Sequence, residues 1–203
     1  MAGSIVGVLL AAGVGRRFGG DKLMHRLPDG TPLAAAAASS LRTACGRVVA
    51  VLRPDHELLA STLAAAGCEI VLCVDADKGM GHSLAAGVRA AADAAGWIVA
   101  LGDMPSIAVS SHRAVAACLR AGASIAATQY RGQRGHPVGF SSAWFAELSA
   151  LTGDQGGRAI LAKNRQHLIV CPVADPGVIL DIDHPEDLQT IPGDADLCPL
   201  ADS

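Results

Sequence analysis

The apolar run Ile5 to Leu10 (IVGVLL) carries no charge and passes directly into AAGVGRRFGGDKL. A short apolar run bounded by turn residues has the pattern of a parallel strand buried on both faces. The loop behind it narrows the choice further. Gly13, Gly15, Gly19 and Gly20 are interleaved with Arg16, Arg17 and Lys22. Glycine admits positive φ and a close backbone approach, so successive amides can point at one anion. The cations supply the opposite charge, and arginine grips phosphate through parallel hydrogen bonds. In an α/β sheet, a strand that empties into a glycine-rich basic loop is where a nucleotide's phosphates usually lie. Taken alone, the loop suits a plain turn with solvated cations better, because short motifs are weak signals.

Two familiar phosphate loops are excluded by single positions. A P-loop needs Ser or Thr after its lysine, and Lys22 is followed by Leu23. The dinucleotide fingerprint needs a third glycine where Phe18 stands, and no acidic residue closes the second strand. Composition bounds the class: 203 residues, 51% apolar, 17% charged and 3% aromatic, fit one α/β domain with a sizeable core. A net charge of −3 argues against a nucleic-acid-binding surface. Cysteines 45, 68, 73, 118, 171 and 198 form no C-x-x-C pair, and most lie in apolar segments. Neither a disulfide framework nor a zinc site is indicated. The histidines lack the H-x-x-x-H spacing of a helical metal site. The first residues lack the basic region of a signal peptide, and no apolar run reaches membrane-spanning length. A soluble cytoplasmic protein is expected, with no membrane or nucleic-acid partner.

Along the chain, strand and helix patterns alternate. Thr31 is expected as N-cap, with Pro32 at the first position of a helix from Leu33 to Ala44. Arg47 to Leu52 is a strand, Asp55 caps a helix that runs to Ala66, and Glu69 to Val74 is a third strand. A helix over Ser83 to Ala95, a strand over Trp97 to Leu101, a helix over Val109 to Arg120 and a strand over Ser124 to Gln129 follow. Gly132 to Gly135 is expected as a loop and Pro137 to Phe140 as a short strand. Helices near Ala143 to Leu151 and Arg158 to Ala162 come next, then late strands over His167 to Val173 and Val178 to Ile182. Pro185 to Thr190 is expected as a terminal helix. The alternation implies a largely parallel sheet with helices on both faces. Residues 1–191 are expected as one domain, with a flexible acidic tail over 192–203. Ligands of such sheets collect beyond the carboxyl ends of the strands.

The candidate chemistry falls there. Asp103 stands just past the apolar strand WIVAL, where a carboxylate is either a turn cap or a hard-cation ligand. Asp181 and Asp183 share one side of a strand end, with Ile182 opposite; Asp183 could equally cap the helix after His184-Pro185. In KGMGHSLAAG, glycines before a helix start leave free amides, and Ser83 can cap the helix or bond a ligand.

Six ordered motifs between Ile5 and Ile191 carry a resemblance. LAAG-x-G-x-RFGGDKL resembles the signature loop of the molybdopterin nucleotidyltransferase family, within the sugar-nucleotide transferase superfamily. Leu10, Ala11, Ala12, Gly13, Gly15, Arg17, Gly19 and Lys22 match it, while Arg16 falls at a variable position. Asp103 matches a strand-end metal aspartate and Asp183 a second, although His184 stands where Thr or Asn is usual. Gly81 and Ser83 match G-M-x-x-S-L-x-x-G, and Asp75 falls where a base- or ribose-contacting polar residue is expected. GHPVGF and GDQGGRAIL resemble acceptor-side loops carrying His136 and Arg158.

The resemblance implies a three-layer α/β/α, Rossmann-like fold of the nucleotide-diphospho-sugar transferase type. It implies nucleotidyl transfer to molybdopterin with release of pyrophosphate, supported by Mg²⁺ on Asp103 and Asp183. Two carboxylates suit Mg²⁺, which takes few protein ligands and shares the rest with phosphates and water. Arg17 and Lys22 would neutralise the leaving phosphates. Guanylyl members tend to read LAGG and cytidylyl members LAAG, so Ala12 favours CTP as donor. A molybdenum hydroxylase is the implied recipient. The rivals are GTP or another phosphorylated acceptor, a Rossmann-like oxidoreductase, and a non-catalytic nucleotide-binding chaperone for a molybdenum enzyme.

Overall fold

The computed structural model describes residues 3–13, 15 and 18–190. Seven strands form one sheet in the order β3-β2-β1-β4-β6-β5-β7. They are β1 (Ile5–Leu10), β2 (Val48–Leu52), β3 (Glu69–Leu72), β4 (Gly96–Leu101), β5 (Ile125–Tyr130), β6 (Gln133–Ser141) and β7 (Leu168–Pro172). All neighbours run parallel except β6, which is antiparallel to both β4 and β5. The helices are α1 (Leu33–Cys45), α2 (Glu57–Ala65), α3 (Met80–Ala90), α4 (Val109–Arg120), α5 (Phe145–Ser149) and α6 (Arg158–Lys163).

Period-2 alternation along β1 divides the core in two. Ile5 and Leu9 pack with α1, α2 and α4 through Leu41, Leu63 and Val115. Val6, Val8 and Leu10 pack with α3, α5 and α6 through Leu84, Leu148 and Ile160. This is the three-layer arrangement expected. Alanine keeps α1 close to the sheet: Ala34, Ala37 and Ala38 are buried on it. At the facing position a Cβ on Gly7 would lie 2.7 Å from Leu41 Cγ, so only glycine allows this approach.

Several local expectations are corrected. Gln133, Arg134 and Gly135 belong to β6 rather than to a loop. The chain reverses between Tyr130 and Gln133, which pair directly. Arg131 and Gly132, with φ of 48° and 85°, form a two-residue hairpin turn whose twist suits the flanking strands. Val178 to Ile182 is not a strand. Pro176–Ile179 is a 3-10 turn that begins when the Asp175 side chain accepts from Gly177 N at 2.9 Å. A Cβ on Gly135 would meet the Val178 carbonyl, so this turn lies directly over β6.

The caps also differ. Pro32, not Thr31, is the N-cap of α1, and Asp29 Oδ1 accepts from Thr31 N in the turn before it. Asp55 pairs with Arg53 at 3.4 Å and leaves His56 at the cap of α2. Helix α3 starts at Met80, before Ser83, and stops at Ala90. The segment Pro185–Thr190 is 3-10 rather than α. The tail over 192–203 lies outside the described residues.

Candidate active site

The parallel register sets the ends of β1 and β4 side by side, with Leu10 opposite Leu101. A cleft of about 460 Å³ opens beyond them. Leu10, Ala12, Gly13, Gly15, Lys22, Ser83 and Asp103 all line it. Gly102 N donates to the Leu10 carbonyl at 2.9 Å, which fixes the turn that presents Asp103.

Lys22 is the centre of this cleft. It opens a 3-10 turn, Lys22–Met24, and is only 8% exposed. Its Nζ donates to Asp103 Oδ2 at 2.8 Å and to Asp183 Oδ1 at 3.2 Å. Residues from three distant parts of the chain thus share one ammonium. Burial alone would lower the Lys22 pKa; the hydrogen bond and charge of Asp103, then those of Asp183, outweigh it and hold the group above the ordinary lysine value. Among the described residues, the buried Asp103 Oδ1 has no hydrogen-bond partner.

Asp183 is held by the backbone around it. Ile182 is buried and its N donates to the Asp103 carbonyl at 3.0 Å, so the segment is tied to the loop that carries the other carboxylate. Asp187 Oδ2 accepts from the amides of Asp183 and His184 at 2.8 and 2.7 Å. Asp187 thus satisfies the amides at the start of this turn, and the Asp183 carboxylate accepts from Lys22. Asp181 is exposed and lines neither this cleft nor its neighbours.

A second cavity of about 330 Å³ shares Leu10, Met80, Leu101 and Asp154 with the first. His136 and Arg158 line it, together with Arg134. Burial pulls the His136 pKa down, a bond to the Val99 backbone and the charges of Asp103 and Asp181 oppose this, and the ring Nδ1 has no partner among the described residues. Ala11 lines a third, polar recess of about 240 Å³ with Arg53, His56 and Asp21. There His56 Nε2 lies 2.9 Å from Asp21 Oδ2.

Two expected residues stand apart. Asp75 bonds Lys78 Nζ at 2.7 Å and lines none of the three cavities. Gly81 lines none either, and its amide is not free: it donates to the Gly153 carbonyl at 2.7 Å. Arg17, expected to bind phosphate, lies with Arg16 outside the described residues.

The MobA-like NTP transferase domain matches residues 7–168. The chain belongs to that family. Purine catabolism protein PucB of Bacillus subtilis is 32% identical over 92% of this chain and 95% of its own. Nicotine blue oxidoreductase of Paenarthrobacter nicotinovorans is 30% identical over 92% and 96%. The crystal structure of Rv0371c from Mycobacterium tuberculosis superimposes with a TM-score of 0.82 at 28% identity, covering 94% and 98%. A manganese complex of Rv0371c gives 0.77 at 27%, covering 93% and 97%. The protein is thus a nucleotidyltransferase of the MobA-like type, acting on a nucleoside triphosphate.

In this MobA-like site the sequence reading missed Arg53, Asp77, Arg134 and Asp154, all of which line the cavities. Arg53 had a usable signal, since it follows β2 directly on the ligand-binding edge of the sheet. Asp154 stands inside the GDQGGRAIL motif from which only Arg158 was taken. Asp77 and Arg134 gave no signal, because only the folded backbone turns them inward.

Proposed function

We propose that this chain transfers CMP from CTP to molybdopterin, in a Mg²⁺-dependent reaction that releases pyrophosphate. The observation that carries the reading is the Lys22 ammonium held between Asp103 and Asp183 in the cleft that Gly13 and Gly15 also line. Binding alone does not call for two carboxylates gathered from distant segments around one cation; phosphoryl chemistry does.

The residues present fit a divalent metal. Both donors are hard carboxylates, and the buried Asp103 Oδ1 lacks a partner. Among the described residues no group of three or more His, Cys, Asp or Glu forms a ready cage. That suits Mg²⁺, which binds through one or two carboxylates and completes its shell with phosphate oxygens and water. That Rv0371c, a structural neighbour, was crystallised in complex with manganese supports binding of a divalent ion by this chain. When bound to Asp103 and Asp183, the metal supplies charge neutralisation on the phosphates.

This chain's own residues do the positioning. The backbones of Gly13 and Gly15, with Lys22, receive the triphosphate, Lys22 turning from the carboxylates to the phosphates, and Arg17 joins it on the leaving pair. Ser83, 3% exposed, borders the nucleotide from the α3 side of the cleft. His136, Arg158 and Arg134 hold the acceptor in the adjoining cavity. The acceptor's phosphate oxygen attacks the α-phosphorus; the bond to the β-phosphate oxygen breaks opposite it, and pyrophosphate leaves. No side-chain nucleophile is needed, because the attacking phosphate is already ionised. The Ala12 methyl narrows the place of the base and supports cytosine over guanine. A molybdenum hydroxylase is the expected recipient, and the name of PucB, a purine catabolism protein, fits a recipient that acts on purines.

A second reading has one observation in its favour: a relative at 30% identity bears the name of an oxidoreductase. Phe18, at the third position of the dinucleotide fingerprint, counts against it. Pyrophosphate release, measured with Mg²⁺, molybdopterin and CTP, GTP or ATP in turn, separates the possibilities. Release with CTP alone, dependent on the pterin and lost in Asp103→Ala, is the expected result. Release with GTP overturns the base assignment. Consumption of a reduced nicotinamide nucleotide without pyrophosphate release transfers the chain to redox chemistry.

A further inference from the structure

Helix α4 and strand β7 meet at two thiols. The sulfurs of Cys118 and Cys171 approach to 2.9 Å across a separation of 53 residues. Both are free cysteines; Cys171 is buried in the core beneath α4, and Cys118 is half-buried against the same cluster. Neither lines any of the three cavities described above. Side chains that need only fill space do not require two sulfurs in contact, and a buried cysteine otherwise behaves as a small hydrophobe.

We propose that Cys118 and Cys171 form a modification site, which a peroxide converts to an intramolecular disulfide fastening α4 to β7. Cys118 is the more exposed and reacts first. Its thiolate attacks one peroxide oxygen, the O–O bond breaks, and the departing hydroxide takes up a proton to leave as water. Cys118 is then a sulfenic acid. The Cys171 sulfur, already in contact, attacks the Cys118 sulfur; the S–O bond breaks, and the hydroxide leaves as water with the Cys171 proton. Two thiols and one peroxide give one disulfide and two waters. Burial, then the bond to Cys118, pushes the Cys171 thiol up to about 12, so the first attack on the oxidant falls to Cys118, while the 2.9 Å contact brings Cys171 to the resolving step.

The position gives this bond a consequence. Among the described residues β7 is an edge strand, paired only with β5. Beyond it, Asp175 Oδ2 accepts from Ala108 N at 2.9 Å and Ser111 Oγ at 2.6 Å, at the start of α4. Next, Ile182 N reaches the Asp103 carbonyl, and Asp183 reaches Lys22. The disulfide adds a covalent fastening upstream of these polar ones, on the segment that delivers Asp183. Closing so long a loop also restricts the unfolded chain.

The test uses the full-length protein, reduced, treated with stoichiometric hydrogen peroxide, and capped with an alkylating agent. The expected result is the loss of two hydrogens and a cross-linked peptide joining Cys118 to Cys171. A dithiothreitol-reversible rise in Tm of about 5–15 °C should accompany it. Amide exchange over 172–183 should slow. Cys118→Ser and Cys171→Ser should each lose the Tm rise while keeping their own cooperative transition. Sulfenic or sulfinic acid on Cys118 beside an alkylated Cys171 overturns the proposal, as does a cross-link to any other cysteine. Both readouts on the wild-type chain stand even if a variant does not fold.

Discussion

At the scale of single residues, Lys22 decides most. Its ammonium neutralises two carboxylates that would otherwise face one another in a partly closed cleft. Lys22→Met keeps the length and removes the charge. We expect a loss of about 1–3 kcal/mol near neutral pH, the cost of removing the ammonium that partly buried Asp103 and Asp183 share. Millimolar Mn²⁺ should recover much of that loss in the variant and little in the wild type, as read by urea midpoints. A variant as stable as the wild type, or indifferent to Mn²⁺, would contradict the site as assembled. The pH dependence has a definite sign. Because folding raises the Lys22 pKa above 10.5, its contribution is complete below that value and disappears as pH climbs through the raised one. The wild-type advantage over Lys22→Met should therefore persist to about pH 10.5 and shrink above it. Lys22 and Asp103 were legible because a cation in the glycine-rich loop and a carboxylate at a strand end both pointed to the cleft that they line. Asp75 was not, because its place at a strand end does not reveal that the side chain folds back onto Lys78.

At the scale of elements, α4 carries a buried titrating group that the proposed chemistry does not use. His112 is 1% exposed, and its Nδ1 has no hydrogen-bond partner among the described residues. Burial pulls its pKa from 6.5 down to about 4, against the opposing charge of Asp175. A depressed histidine binds its proton more readily when unfolded, so its contribution is whole above pH 6.5 and is lost as pH falls toward 4. The loss across that window is about 3 kcal/mol. His112→Leu should flatten the acid side of the stability profile between those limits, measured by urea midpoints at successive pH values. An unchanged slope would mean that another group governs acid unfolding. The bounds of α4 and β1 were read correctly because each has a clean apolar period and clear ends. The hairpin between β5 and β6 was missed because Arg-Gly, not Asn-Gly, fills its turn. Val178 to Ile182 was expected as a strand because of its apolar residues, yet Val178 and Ile182 bury themselves beside the sheet rather than in it.

For the whole molecule, the sheet brings together what the sequence keeps apart. The Lys22 turn follows β1, Asp103 follows β4, and Asp183 lies past β7 at the far edge, so no short stretch contains the site. The alternation of strands and helices made the layers legible, but not the insertion of antiparallel β6 between β4 and β5, which alternation cannot encode. A ligand that joins these segments should stabilise the fold as one unit, since it binds only when all are in place. At a hundredfold excess over its Kd, a ligand adds about 2.7 kcal/mol. A chain of this size gains about 2–4 °C per kcal/mol. CTP with Mg²⁺ should therefore raise Tm by about 5–10 °C in a single transition. GTP should raise it far less if the Ala12 methyl restricts the base. Equal shifts with both nucleotides would remove that role from Ala12 while leaving the phosphate site intact. A shift with CTP that is lost in Asp103→Ala only when Mg²⁺ is present would place that carboxylate on the metal rather than in the fold.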